Sequence, residues 1–179
     1  MAGVIADPIL TVLVYSAGAA ATAALGALPL ASGRTPPLRL FGWANALASG
    51  VMLGVAYALL SVSLGRGAVE SGLGAVAGIA FIVFAHAVMG TAGITRLGAI
   101  HAAPEGVAIG VAMAVGVPFG ALMASALAVH NIPEATVAIA GLTRRGTRLP
   151  LATLLAVAAN VNQVVFAVAT FVLVAAVPV

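Results

Sequence analysis

Cysteine is absent from this 179-residue chain, which rules out a disulfide framework and a thiolate metal site. Charge is scarce: charged residues make up 6% of the sequence, with four acidic residues, three histidines and seven basic residues, all arginine. With 63% hydrophobic residues and a mean hydropathy of +1.24, that scarcity excludes a soluble domain and excludes disorder. The polar and Gly/Pro interruptions leave six apolar runs, roughly 9–31, 39–62, 71–91, 96–115, 119–142 and 149–177. Each has about the 20 residues that a bilayer core demands. The expected fold is therefore all-α, a polytopic membrane protein with six transmembrane helices in one bundle and a single domain over 1–179. The connecting loops are short and leave no soluble domain for a separate activity. No basic segment precedes the first run, which is too long for a secretory signal, so it reads as a retained helix.

The arginines are a topology signal. Arg34 and Arg39 lie between the first and second runs, Arg96 enters the fourth, and Arg144, Arg145 and Arg148 lie between the fifth and sixth. Only Arg66 falls among the alternate loops, so the positive-inside rule places both termini outside the cytoplasm. The basic pI near 10.7 is explained by this asymmetry and implies no nucleic-acid partner. The partner it implies is the lipid bilayer, as expected of a protein of a bacterial inner (plasma) membrane.

What the chain does contain is one pattern twice: His101-Ala102-Ala103-Pro104-Glu105 and His130-Asn131-Ile132-Pro133-Glu134. Ionisable side chains inside apolar runs are costly and mark function. His and Glu at i and i+4 point from one helix face. The two motifs sit near the middle of consecutive helices joined around Gly116-Val117-Pro118, so the second is inverted relative to the first. His101 is expected level with Glu134, and Glu105 with His130. Inverted, Pro-interrupted helices with polar groups at mid-membrane point to a transporter site. Each proline removes an N–H and should leave a carbonyl, near Ile100 or Val129, without its usual partner. Two carboxylates and two neutral imidazoles sum to a charge that one divalent cation neutralises. This donor set suits Zn²⁺, and also Fe²⁺, Mn²⁺, Co²⁺, Ni²⁺ or Cd²⁺.

Other polar residues carry weaker signals. Asn131 can lend a carbonyl oxygen to an ion. Asn160, Asn162 and Gln163 cluster in the sixth run, either lining a pathway or bridging helices. For His86 a snorkelling or helix-bonding role is preferred over a release-side ligand. Asp7 and Glu70 read as solvated; Ser16, Thr22 and Asn45 read as packing groups. Gly50-x-x-x-Gly54, Gly74-x-x-x-Gly78 and Gly106-x-x-x-Gly110 are spaced for close helix packing, and Trp43 and Tyr57 for interfacial anchoring.

The paired motif, His130-Asn131-Ile132-Pro133-Glu134 with His101-x-x-Pro104-Glu105-Gly106, resembles the metal-binding motifs on the fourth and fifth helices of the ZIP family of divalent-metal transporters. Gly18-Ala-Ala-Ala-Thr22-Ala-Ala-Leu-Gly26-Ala-Leu-Pro29 and Ala48-Ser-Gly50-Val-Met52-Leu resemble that family's first and second helices. The resemblance implies import of Zn²⁺ or a related ion toward the cytoplasm through a centre between helices four and five. By motif position it implies His101, Glu105, His130 and Glu134 as primary ligands and Asn131 as a secondary one. Three departures accompany it. Ala102 stands where the family commonly has Asn, and Asn162 where many members carry an acid. The third is that six helices replace eight. One strong site and at most one poor site are therefore expected, with a homodimer supplying missing scaffold.

The expected function is divalent-metal transport and not an enzyme activity. The alternatives are an intramembrane zinc metallohydrolase and a transport-inactive scaffold or sensor. No His-Glu-x-x-His element and no spare general base support the hydrolase.

Overall fold

A computed structural model describes residues 7–33, 37–89 and 94–176, and every regular element among them is helical. Arg34 and the side chains of His86 and Arg96 lie outside the described residues. Helix α1, Pro8–Ala21, starts at Asp7, whose carboxylate accepts the Ile9 N–H at 2.9 Å. Asp7 is thus an N-cap. The helix then tightens into nine residues of 3-10 geometry, Thr22–Leu30, where such runs rarely pass three or four. Helices α2, Leu38–Leu64, and α3, Ala68–Met89, follow.

Helices α4, Ile94–Val115, and α5, Val117–Arg144, meet at Gly116, the turn expected from the sequence. Gly146, at φ +90°, takes the left-handed turn after α5 that an L side chain resists. The sixth apolar run is broken: α6, Leu149–Ala159, stops at Asn160 and α7, Val161–Ala176, resumes. The Asn160 side-chain amide donates back into α6, to the Ala156 carbonyl 3.0 Å away.

Among the described residues, four helical stretches are long and apolar enough to cross a membrane: Pro8–Leu30, Leu38–Leu64, Val117–Arg144 and Leu149–Ala176. Ala68–Phe84 and His101–Val115 are shorter apolar segments. The molecule is an α-helical membrane protein.

Helix α5 is the hub, packed against α1, the 3-10 segment, α2, α4 and α6, while α4 lies along α7. The core falls into clusters. One joins Val12 and Ala19 of α1, Ile109 and Met113 of α4, Ala124 and Leu127 of α5, and Ala167 of α7. Another joins Ala23 and Leu30 of the 3-10 segment, Ala135 and Ile139 of α5, and Ala152 and Ala156 of α6. Gly106 and Gly110 allow the α4–α7 approach: a Cβ on Gly106 would run into the Gln163 carbonyl. Gly50, Gly54, Gly74 and Gly78, also spaced for packing, have nothing within 4 Å. Helix α2 buries only Val55, and its Trp43, Tyr57 and Asn45 are exposed, so Asn45 is not the packing group expected.

Candidate metal centre

Positions 130 and 134 share a face of α5, and α4 brings Glu105 to it. The His130 Nε2 atom lies 3.2 Å from Glu105 Oε1 and 3.3 Å from Glu134 Oε2. One ligand atom from each of the three residues lies within 4.8 Å of the others. For a tetrahedral ion with bonds of about 2.0 Å, neighbouring ligand atoms sit about 3.3 Å apart, the spacing found around His130.

The other ring nitrogen fixes which lone pair faces inward. His130 Nδ1 stands 3.2 Å from the Ala48 carbonyl of α2. A carbonyl only accepts, so Nδ1 carries the proton and Nε2 is turned to the two carboxylates. A neutral ring in that tautomer aims a lone pair at two anionic oxygens. Only a positive charge among them, a proton or a metal cation, makes the arrangement stable. Glu105 is 3% exposed, and its second oxygen, Oε2, is buried with no hydrogen-bond partner. Such an atom costs on the order of 1–3 kcal/mol or more if nothing satisfies it. The Glu134 side chain, at 36% relative exposure, forms the open side of the group.

Among the described residues, three of the four expected side chains bring ligand atoms within 4.8 Å of one another. His101, one turn before Glu105 and half-buried, is not a member of the cluster. Glu105 and His130 do stand level, as antiparallel motifs require, but Glu134 closes on the same imidazole. Ala102 is buried on the inner face of α4.

Asn131 is 1% exposed, and its Nδ2 donates to the Ala19 carbonyl at 2.9 Å and to Gln163 Oε1 at 3.0 Å. Asn162, the expected helix-six residue, is exposed; the inward residue is Gln163, fully buried. The break at Asn160 resets the helix there, and one residue is about 100° of helical rotation. Thr22 bridges helices as well, donating to Ala128 O at 2.7 Å. The Ala48 and Ala19 carbonyls have no signature in a search for ligand side chains. Only the small residues around them hint that a neighbour comes close.

Neither the comparison with family models nor that with curated proteins gives a match.

Proposed function

We propose that this protein carries a divalent transition-metal ion across the membrane, binding it between Glu105, His130 and Glu134. The observation that carries the proposal is the Glu105 carboxylate, buried beside an oriented imidazole with one oxygen unpartnered. Its net charge with Glu134 matches a divalent ion. Three protein ligands with one partly exposed leave a position through which cargo arrives and departs. Transport fits better than a structural metal because Glu134, one of the three ligands, is partly exposed. The ZIP-like motif pair supports Zn²⁺ or a related ion as cargo. The arginine distribution supports six crossings with both termini outside, and the same motif resemblance supports movement toward the cytoplasm.

The test is metal uptake into proteoliposomes by the wild-type chain and by Glu134→Ala. Uptake in the first and none in the second is the expected result. Stoichiometric binding of metal without flux in either would overturn transport and leave a sensor or an enzyme.

A further inference from the structure

Four of the helical runs around the metal centre break or carry a proline near the level of Asn131, while α2, which reaches His130 through the Ala48 carbonyl, is continuous. Helix α1 turns into 3-10 geometry after Ala21, α4 and α5 carry Pro104 and Pro133, and α6 gives way to α7 at Asn160. The core divides at that level too. Ala19, Leu127 and Ala167 belong to one cluster, and Ala23, Ala135 and Ala156 to another. Glu105, His130 and Glu134 occupy the joint between two half-bundles.

At such a joint α5 cannot rely on its own backbone, because Pro133 removes one rung of its hydrogen-bond ladder. Its rotation has to be held from outside. Upstream of the proline, three grips are visible: Ala48 O on His130, Thr22 Oγ1 on Ala128 O, and Asn131 Nδ2 on both Ala19 O and Gln163 Oε1. The last ties α1, α5 and α7 together, at residues next to the interruptions in α1 and α6–α7. It is also half-made. Asn131 Oδ1 and Gln163 Nε2, which would complete a paired-amide contact, are buried and unpartnered. A buried polar network left partly satisfied is held weakly against another arrangement.

From this geometry we infer that Gln163 is a positioning residue for the metal centre, acting through Asn131 as the latch between the two half-bundles. It touches no cargo. By fixing the rotation of α5 at Asn131 it sets where His130 and Glu134 point, and releasing it lets the half-bundle containing the 3-10 segment swing away from the other. The metal-affinity part of this role rests on the proposed metal site; the latch itself does not.

The chain has no cysteine, so a single introduced thiol reports on its own site without background, one at the joint and one at a control position away from it. Ala23→Cys lies at the joint and Ala112→Cys lies in the separate α2–α4–α5 cluster, both at sites with no exposure. Each is placed in the wild-type, Gln163→Met and Gln163→Glu backgrounds of the full chain in proteoliposomes. A water-soluble maleimide then measures the labelling rates, and Zn²⁺ titration measures affinity. Methionine keeps the volume without the acceptor; glutamate keeps the acceptor oxygen. Gln163→Met should raise labelling of Ala23→Cys about tenfold, what one lost buried hydrogen bond is worth. It should weaken Zn²⁺ binding by a similar factor, while Ala112→Cys stays protected and Gln163→Glu restores protection of Ala23→Cys. Wild-type labelling in the methionine background overturns the latch. So does equal exposure of both thiols, which would mark a general packing role, and so does a glutamate background that labels like methionine. Protection that behaves as expected in a wild-type chain that binds no Zn²⁺ leaves the latch standing and removes the metal reading instead.

Discussion

At the residue scale the chemistry rests on a carboxylate in an unusual place. Glu105 is buried, 3.2 Å from a histidine nitrogen, and short of one partner. Replacing it by its neutral isostere separates two roles. Glu105→Gln should weaken metal binding by at least about 100-fold, beyond the loss typical of an outer-shell partner. The metal-free protein should melt only modestly lower, because the side-chain volume is kept and His130 still has Glu134 as a partner. Calorimetric titration and thermal unfolding of the same samples check both halves; a large drop in melting temperature with affinity intact would make Glu105 a structural residue. Protonation works in the same direction. Imidazole and carboxylates bind metal only when deprotonated, so affinity should fall as pH falls and binding should release protons. Affinity unchanged from neutral to acidic pH would contradict this ligand set. The i, i+4 spacing made Glu105, His130 and Glu134 legible in the sequence. The Ala48 carbonyl that orients the ring was not, since a backbone group leaves no mark on residue identity.

At the element scale, glycine separates real helix contacts from mere spacing. A Cβ on Gly106 would collide with the Gln163 carbonyl and come within 2.9 Å of Phe166 Cβ and 3.0 Å of Ala167 N. Two of those three atoms are backbone and cannot swing aside. Gly106→Ala should therefore cost about 1–3 kcal/mol and push α7, with Gln163, away from the site. Gly54→Ala meets nothing within the chain and, in monomeric protein, should leave the unfolding midpoint unchanged or slightly raised. Equal effects in the two variants would refute the α4–α7 packing. The sequence pattern alone treats these glycines alike, because a membrane helix is apolar on every side. Gly26 is a second close approach: its Cβ would lie 2.7 Å from Thr136 N and 2.8 Å from Ile132 O, where the 3-10 segment crosses α5 just beyond Pro133.

At the scale of the whole molecule, α3 stands apart from the hub and reaches it only through α2, which lies against α5 on one side. The described side chains of α3 are almost all exposed, with Ser71 the buried exception, and α3 packs on α2. Their glycine pairs face outward, where a second copy of the chain would find close backbone approach. Sizing in mild detergent should give a dimer; a monomer that still transports would refute this arrangement. Arg144 at the end of α5 sits over the Phe41 ring at the start of α2, 5.2 Å from its centre, so these two ends share one side of the molecule. In oriented vesicles, a thiol introduced at Thr147 should be labelled from the cytoplasmic side and one at Arg66 from the other. The reverse pattern would invert the proposed direction.

By itself the sequence determined the membrane class, the approximate limits of the apolar runs, the turn at Gly116 and the pairing of His130 with Glu134 on one face. These follow from composition, chain stiffness and helical period, which are local properties. The tertiary structure alone decided that Glu105 and Glu134 close on the one imidazole of His130, that the first and last runs are interrupted, and that Gln163 rather than Asn162 turns inward. The reason is rotational. A period sets the angle between residues on a helix but not the angle of that helix toward its neighbours. Where lipid is as apolar as the core, hydrophobicity does not supply it. Buried amides, carbonyl grips and glycine contacts set it here, and they exist only once the helices have met.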